Sequence, residues 1–355
     1  MEKLKLALLG LGHVHAHNLS VDFNRYPEEM EWIGCADVPP YDERGVQARI
    51  KENMGNVPLP TFYDDYQELL KQKPDLAVVC TDIKGHTKIA IEALRQGCNV
   101  LLEKPMAINM QDALLMAEEA KKSKAELIVN WPIAWMPAFN KVKELADNGR
   151  AGKILRVQYR CPATPGPYKK DLYTEEEMKK MWWYQSERGG GAIMDYAGYG
   201  CALSTWLIGK AAKTAMGMKK NYFIKFSDVE DYSAFLLDFG DEVGYLEGSW
   251  STISSAEIPT GPVIYGDQAV IVADRYTDVV KVYNPCEPYQ PTPAPDEVIP
   301  TRKTEEGLAL HLIHHFLEGQ PLHELLTLDF NLKVMGALDA GKRSCESHKE
   351  EKTGY

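Results

Sequence analysis

The sequence has no excess of positive charge, no long apolar run and no cysteine pair of the Cys-x-x-Cys kind. Its formal net charge of −11 argues against nucleic acids and anionic membranes as partners, because both favour basic patches. No apolar run is long enough to cross a bilayer, and the chain enters a short strand straight after its first residues, so we expect neither a membrane span nor a secretion signal. Seven scattered cysteines favour reduced thiols, and therefore a cytoplasmic location, over a disulfide framework.

The length of 355 residues exceeds one average domain, so two domains are expected. Residues 1–130 alternate apolar strands with helices, which predicts an α/β domain with a parallel sheet covered on both faces. Residues 131–355 place several alternating strands between 214 and 283 with no helix among them, which predicts an antiparallel sheet in an α+β domain. The predicted helices are His13–Arg25, Tyr41–Met54, Asp64–Lys71, Thr87–Gln96, Met110–Ser123, Ala138–Asp147, one from Gly189 to Leu207, Glu305–Leu317 and Leu328–Arg343.

A turn with two glycines, Gly10 and Gly12, lies between the first strand and the first helix, where a dinucleotide fingerprint belongs. The glycines permit a tight turn and a close approach of the backbone to a pyrophosphate at the helix N-terminus. His13 and Val14 continue the turn, while His15 stands at the third glycine position. The turn therefore predicts dinucleotide binding, although its motif is incomplete.

The cofactor is predicted from the residue that follows the second strand, Asp37. An acidic side chain there accepts hydrogen bonds from the adenosine ribose hydroxyls and repels a 2′-phosphate. NAD is therefore favoured, but NADP stays open because Arg44 lies close by in the sequence.

Three histidines of the first turn, His13, His15 and His17, raise the question of a metal. His13 and His17 are one helical turn apart, but a ligand set needs a third partner and groups that orient it. The same turn already has a phosphate-binding role. We therefore predict no metal site.

Lys104 ends an apolar strand and is followed by a proline. Ligands bind at the carboxyl ends of parallel strands, and a buried amine there can have its pKa lowered so that it exchanges protons with a hydroxyl or carbonyl. Asp195 and Tyr199 are four residues apart on an apolar helix, which predicts that they share one face. Trp182 and Trp183 could form the wall of a sugar-binding or nicotinamide-binding pocket, or they could equally pack in the hydrophobic core.

The chain resembles the glucose–fructose oxidoreductase, inositol dehydrogenase and rhizopine catabolism (Gfo/Idh/MocA) family. The resemblance extends from Leu4 to about Ser347, and it rests on the glycine turn, Cys80–His86, Glu103-Lys104-Pro105 and Gly189–Tyr199. It implies an N-terminal Rossmann domain and a C-terminal α+β domain with a large, mostly antiparallel sheet, which often forms dimers or tetramers. It also implies that Lys104, Asp195 and Tyr199 are catalytic. The implied cofactor-binding residues are Gly10, Gly12, His13, Val14, Asp37, Thr81, His86, Glu103 and Lys104.

Two positions depart from the family pattern. Many members have histidine where this chain has Tyr199, which resembles the tyrosine-bearing branch that contains glucose–fructose oxidoreductase. The family usually has proline where Asp82 stands, so the shape of the nicotinamide loop is expected to differ.

These features predict an NAD(P)-dependent oxidoreductase that transfers a hydride to or from a sugar, glycoside or polyol. One alternative is an NAD-dependent glycoside hydrolase that acts by transient oxidation and elimination. A second alternative is a cofactor-sensing or scaffold protein, which is disfavoured because such a protein has no need of Lys104, Asp195 and Tyr199. The sequence fixes neither the direction of the reaction nor the sugar.

Overall fold

The computed structural model forms two compact units, each made of several segments of the chain. Unit 1 comprises Met1–Trp131, Tyr173–Gly190 and Glu306–Leu332, and unit 2 comprises Pro132–Leu172, Gly191–Glu305 and Lys333–Tyr355. The residues described are 3–39, 45–162, 166–167, 171–252, 259–274, 278–287, 294–302 and 306–355.

Strands and helices are numbered along the chain. The strands are β1 Leu4–Leu9, β2 Met30–Ala36, β3 Phe62–Tyr63, β4 Leu76–Val79, β5 Asn99–Glu103, β6 Leu127–Asn130, β7 Ile154–Pro162, β8 Thr214–Lys220, β9 Tyr232–Asp238, β10 Val243–Ser249, β11 Val263–Gly266, β12 Val270–Ala273, β13 Val279–Tyr283, β14 Glu297–Pro300 and β15 Glu351–Lys352. The helices are α1 His15–Phe23, α2 Val46–Asn53, α3 Tyr66–Leu70, α4 Ile83–Arg95, α5 Met110–Ser123, α6 Pro137–Asp147, α7 Glu175–Met178, α8 Gly198–Ile208, α9 Leu308–Glu318 and α10 Leu328–Ser347.

Unit 1 is built on a six-stranded parallel sheet in the order β3-β2-β1-β4-β5-β6. All residues of β4 and β6 are buried, as expected for strands covered on both faces. The carboxyl ends of β1, β4 and β5 lie side by side, with Leu9 paired to Val79 and Val79 to Leu102. The residues that follow these three strands therefore meet at one edge of the sheet. The predicted parallel Rossmann sheet is confirmed, with the two-residue β3 as an addition.

Side-chain caps decide where two helices of unit 1 begin. The Asn109 side chain accepts a hydrogen bond from the Asp112 N–H, and α5 spans the predicted residues. Asp82 caps α4 by accepting from the Gly85 N–H at 2.7 Å. Helix α4 therefore starts at Ile83, one turn before the predicted start at Thr87. His86, which the sequence places in a loop, belongs to this extra helical turn.

Unit 2 is built on a nine-stranded sheet in the order β14-β13-β12-β11-β7-β10-β9-β8-β15. Among the described strands only β7 and β10 pair in parallel, so the sheet is mostly antiparallel, as predicted. The apolar helix α8 is buried along nearly its whole length and packs on β7 and β10. Strand β14 lies in the proline-rich part of the chain between residues 284 and 300, and it pairs with β13.

Two later segments of the chain pack with unit 1, namely Tyr173–Gly190 and Glu306–Leu332. The sequence boundary at residue 130 assigns both to the second domain. The charged stretch 171–180 contains one helical turn, α7. Its N-terminus is capped by reciprocal hydrogen bonds between Thr174 and Glu177. Among the described residues, no helix combines the length and the apolar character that crossing a membrane requires.

Candidate functional site

The glycine turn of unit 1 lies against the residues that follow β4. Gly10 has a φ of +90°, and a Cβ on it would lie 2.5 Å from the Thr81 side chain, so only glycine fits there. A Cβ on Gly12 would lie 3.2 Å from the Asp82 backbone nitrogen. The Gly12 N–H donates to the Cys80 carbonyl at 3.0 Å. The turn is therefore held close to the end of β4, as a dinucleotide-binding turn requires.

Asp37 lies at the end of β2 and faces this turn. It is 6% exposed, and its Oδ1 accepts hydrogen bonds from the backbone N–H groups of Leu11 at 3.2 Å and Val38 at 3.0 Å. Its Oδ2 accepts from the Nε of Arg49 in α2 at 2.8 Å. The sequence singled out Arg44 as the arginine near Asp37, but Arg44 lies outside the described residues, and the arginine paired with Asp37 is Arg49.

Asp82 takes part in a second ion pair at the same turn. Its Oδ1 caps α4, and its Oδ2 accepts a hydrogen bond from the Nε of Arg188, in the returning segment Tyr173–Gly190. Trp182 of the same segment donates its indole N–H to the Gly12 carbonyl at 2.6 Å. The rings of Trp182 and Trp183 are stacked 3.8 Å apart. Trp182 is therefore buried against the glycine turn.

A cavity of unit 1 lies over the glycine turn, and its wall carries both ion pairs. Asp37 and Arg49 carry opposite charges on one part of the wall, and Asp82 and Arg188 on another. The remaining lining residues are Gly10, Gly12, Val38, Thr81 and Trp182.

Lys104 and Glu103 lie where β5 ends, at the same sheet edge. Both are buried, with exposures of 3% and 1%. Glu103 Oε1 accepts from the Asn130 amide at 2.7 Å, and its Oε2 lies 2.8 Å from His15 Nδ1. Burial raises the pKa of the Glu103 carboxyl, but His15, Asn130 and the charge of Lys104 together bring that pKa below its ordinary value. Glu103 is therefore an ionised carboxylate next to Lys104.

The histidines of the turn form hydrogen bonds of their own. His13 is buried, its Nδ1 accepts from the His15 N–H at 3.1 Å, and its ring lies 5.1 Å from that of Trp183. Burial lowers the pKa of His13 well below its ordinary value, and the charges of His15, Lys104 and His86 lower it further. His13, His15 and Glu103 lie close enough to share an ion, but the hydrogen bonds above already use His13 Nδ1, His15 Nδ1 and both Glu103 oxygens. We therefore derive no metal chemistry from this cluster.

The site fits a dinucleotide in two respects. Gly10 and Gly12 keep side chains off the turn, at the N-terminal end of α1, where backbone N–H groups favour a phosphate. His86 is 1% exposed, and its Nε2 has no hydrogen-bond partner among the residues that the structure describes. A buried polar atom normally has a partner, and a bound cofactor is one candidate. Burial lowers the pKa of His86, which favours the neutral imidazole.

Asp195 and Tyr199 lie in unit 2, on consecutive helical segments. Asp195 belongs to a π-helical turn, Ile193–Ala197, and Tyr199 lies in the first turn of α8 and is 2% exposed. The sequence predicts one continuous helix here, with no sign of a π-turn. The Ile193 N–H donates to Glu230 Oε1 at 2.9 Å, and the Trp250 indole donates to Asp195 Oδ2 at 2.9 Å. Insertions of this kind are frequent at functional sites.

Several residues of these sites carry no signal that sequence reasoning can use. Arg49, Arg188 and Trp250 each meet an aspartate that is 12 or more residues away. Two histidines of α9 bond to other parts of unit 1: His311 Nε2 accepts from the His323 N–H, and His315 bonds to Glu126.

Two family models match the chain. Residues 5–131 match the model described as "Oxidoreductase family, NAD-binding Rossmann fold", and residues 139–272 match the GFO/IDH/MocA C-terminal domain. Together the two matched ranges cover well over half of the chain.

Curated relatives match over part of their length. A myo-inositol 2-dehydrogenase of Thermotoga maritima is 27% identical over 168 residues, which cover 46% of this chain and 47% of the relative. A D-glucoside 3-dehydrogenase of Escherichia coli is 27% identical over 194 residues, which cover 54% of this chain and 50% of the relative. The matches thus span about half the length of these relatives.

Solved structures match over the full length of the fold. An oxidoreductase domain protein from Kribbella flavida has a TM-score of 0.80 at 20% identity, with complete coverage of both chains. An aldose-aldose oxidoreductase from Caulobacter crescentus has a TM-score of 0.74 at 18% identity and covers 99% of this chain and 100% of its own. These likenesses concern the fold. With both family models matched in order, the chain belongs to the GFO/IDH/MocA oxidoreductase family, and its N-terminal unit carries that family's NAD-binding Rossmann fold.

Proposed function

We propose that the protein is an NAD(P)-dependent oxidoreductase acting on a hydroxyl-bearing carbon of a sugar, glycoside or polyol. The observation that carries the proposal is the buried Lys104 at the end of β5, beside the ionised Glu103. A lysine in such a position can hold or move a proton at a reacting oxygen. The names of the inositol and glucoside dehydrogenases that match the chain support the substrate class.

Each proposed catalytic residue has its own role. Lys104 donates a hydrogen bond to the reacting oxygen and favours the alkoxide that forms when the hydroxyl proton leaves. Tyr199 takes or gives that proton, or exchanges this role with Lys104. Asp195, oriented by Trp250, accepts a hydrogen bond from a substrate hydroxyl. When bound, the nicotinamide supplies the acceptor or donor of the hydride.

The remaining site residues are proposed to hold the cofactor. Gly10, Gly12, His13 and Val14 form the turn that meets the pyrophosphate, and Asp37 lies at the adenosine end. Thr81, His86, Glu103 and Lys104 follow the ends of β4 and β5 and are assigned to the nicotinamide half. The neutral imidazole of His86 offers an unused Nε2 there.

The decisive experiment follows nicotinamide absorbance with purified protein in both directions. NAD and NADP are supplied with free sugars, glycosides and inositols, and the reduced cofactors are supplied with keto sugars. We expect turnover with one chemical class and its loss in Lys104→Ala. Glycoside cleavage without net reduction would overturn the proposal in favour of hydrolysis, which none of the observations above favours. Absence of any reaction would also overturn it.

We further propose that the protein is a homo-oligomer that associates through the outer face of the nine-stranded sheet. Met216 pairs with Leu236, and Leu236 pairs with Tyr245, so these three side chains form one row across β8, β9 and β10. Their exposures are 51%, 48% and 36%. Exposed apolar rows of this kind mark association surfaces. Light scattering is expected to show a dimer or tetramer, and Leu236→Lys is expected to reduce the mass to that of a monomer. A monomeric wild-type protein would contradict the proposal.

A further inference from the structure

The Asp37 carboxylate is already saturated with hydrogen-bond donors. Its Oδ1 accepts from the N–H groups of Leu11 and Val38. Its Oδ2 accepts from Arg49 Nε at 2.8 Å and also from Arg49 Nη2. A carboxylate has about four acceptor positions, so ribose hydroxyls can bond to Asp37 only by replacing or sharing one of these donors.

Arg49 is fixed at the cavity by its surroundings. Its side chain is 5% exposed and that of Asp37 is 7% exposed, and both residues line the cavity over the glycine turn. Asn53, one helical turn after Arg49, donates its amide to the Leu11 carbonyl at 2.7 Å. Helix α2 is therefore joined to the glycine turn directly by Asn53 and through Asp37 by Arg49, and the guanidinium of Arg49 is held in the cavity wall.

The pairing changes what Asp37 does to a phosphate. A lone acidic group at this position repels a 2′-phosphate, whereas a nearby arginine accommodates one. Here the charge of Asp37 is balanced by Arg49, whose Nε and Nη2 both bond to the carboxylate. A guanidinium pairs with phosphate as it does with carboxylate, so Arg49 can exchange a bond to Asp37 for one to a phosphate oxygen. We propose that the adenosine end of this cavity accepts a 2′-phosphate on Arg49, so that the protein binds NADP as well as NAD. The inference rests on the proposed dinucleotide-binding function of the cavity.

The second ion pair of the cavity supplies an internal comparison. Arg188 carries the same charge as Arg49, and its partner is Asp82. Arg188 lies beside the residues that follow β4, whereas Arg49 is paired with the residue that follows β2. Substitution of Arg188 is therefore expected to change the affinities for NAD and NADP alike. Substitution of Arg49 is expected to change only the affinity for nucleotides that carry the 2′-phosphate.

The experiment measures binding alone, by titration calorimetry without substrate. NAD is compared with NADP, and adenosine 5′-monophosphate with adenosine 2′,5′-bisphosphate, because each pair differs only in the 2′-phosphate. In the wild-type protein we expect the two Kd values of each pair to agree within tenfold. Arg49→Gln is expected to raise the Kd of NADP at least tenfold and that of NAD less than threefold. Arg188→Gln is expected to raise both by a similar factor, and Lys51→Gln, exposed on the same helix, to change neither.

A second pair of variants guards against misfolding, because Arg49→Gln leaves Asp37 buried without its cation. Asp37→Asn removes the carboxylate and keeps Arg49, and it is compared with the double variant Asp37→Asn/Arg49→Gln. We expect NADP to bind at least tenfold more tightly to the first than to the second. The inference fails, while the proposed function stands, if the wild-type protein binds NAD and its Kd for NADP is more than tenfold higher. The inference also fails if the two variants bind NADP equally. Absence of binding by every nucleotide would overturn the proposed function as well.

Discussion

The indole of Trp250 donates a hydrogen bond to Oδ2 of Asp195 across 2.9 Å. Trp250 directly follows β10, and Asp195 belongs to the π-helical turn Ile193–Ala197. The indole N–H is a fixed donor with no acceptor capacity, so it holds one carboxylate oxygen in a defined direction. This bond joins the sheet of unit 2 to a carboxylate that we propose to act on the substrate.

We expect Trp250→Phe to impair catalysis without unfolding the protein. Phenylalanine keeps an aromatic ring and loses the donor, and a hydrogen bond to a charged group contributes about 1.5–3 kcal/mol. Values of kcat/KM should fall roughly tenfold or more. Trp32→Phe is the matched control, because it removes an indole hydrogen bond to Asn24 far from Asp195 in the sequence. Equal kinetics of Trp250→Phe and the wild type would contradict the positioning role.

Lys104→Met is expected to remove turnover while leaving cofactor binding within a few-fold. Methionine keeps the length of the side chain but has no amine to exchange a proton, and general acid–base catalysis contributes about 10²–10⁴-fold in rate. Lys84→Met, an exposed lysine of α4, serves as the control and should retain full activity. Both rates are read from nicotinamide absorbance, and both NAD affinities from calorimetry. A Lys104→Met enzyme with normal turnover would remove Lys104 from the mechanism.

Gly12→Ala is expected to weaken NAD binding while the protein stays folded. Its Cβ would lie 3.2 Å from the Asp82 nitrogen, so the glycine turn has to move by a few tenths of an ångström. We expect the Kd of NAD to rise about tenfold, because the pyrophosphate depends on a close approach to this turn. Gly97→Ala is the control. Its φ of +80° makes alanine unfavourable there, but apart from its chain neighbours no atom lies within 4 Å of the added Cβ. A similar loss of NAD affinity in both variants would point to general destabilisation.

His323 makes the folded protein sensitive to acid. Burial, followed by the charge of His311, lowers the pKa of His323 from its ordinary value of 6.5 to about 4. Between pH 6.5 and 4 the unfolded chain therefore binds a proton that the folded protein does not, so stability falls as the pH falls. The loss should be about 2–3 kcal/mol over this window, allowing for partial exposure.

His323→Asn tests this origin of the acid sensitivity. Asparagine can replace His323 Nδ1 as the acceptor of the Leu325 N–H, but it does not titrate. We expect urea unfolding of the variant to show a smaller loss of stability between pH 6.5 and pH 4 than the wild type. Curves that stay parallel across that range would contradict the assignment.

Much of the fold follows from local patterns in the sequence. The strands of unit 1 are apolar throughout because they are buried on both faces, so β4, β5 and β6 could be predicted within a residue or so. Helix α5 is fixed by its Asn109 cap. The two-residue β3 and the π-turn Ile193–Ala197 leave no comparable pattern, because long-range contacts determine both.

The candidate site could be predicted only where its residues are close in sequence. The glycine turn and Glu103-Lys104 carry local signals, and they come together because parallel strands end at the same edge of the sheet. Arg49 and Arg188 are fixed by ion pairs with distant aspartates, and no spacing rule connects them. The prediction that Asp37 binds the adenosine ribose therefore did not include the ion pair between Asp37 and Arg49.

The division of unit 1 among three segments of the chain has a consequence for synthesis on the ribosome. Trp182 bonds to the glycine turn and Arg188 to Asp82, and both emerge after β6, as does the last segment of the unit, Glu306–Leu332. At usual elongation rates the final segment follows Trp131 by roughly 10–40 s. Unit 1 therefore has all of its segments only after residues 191–305 of unit 2 have been synthesised. Unit 1 therefore cannot be completed before most of unit 2 has left the ribosome.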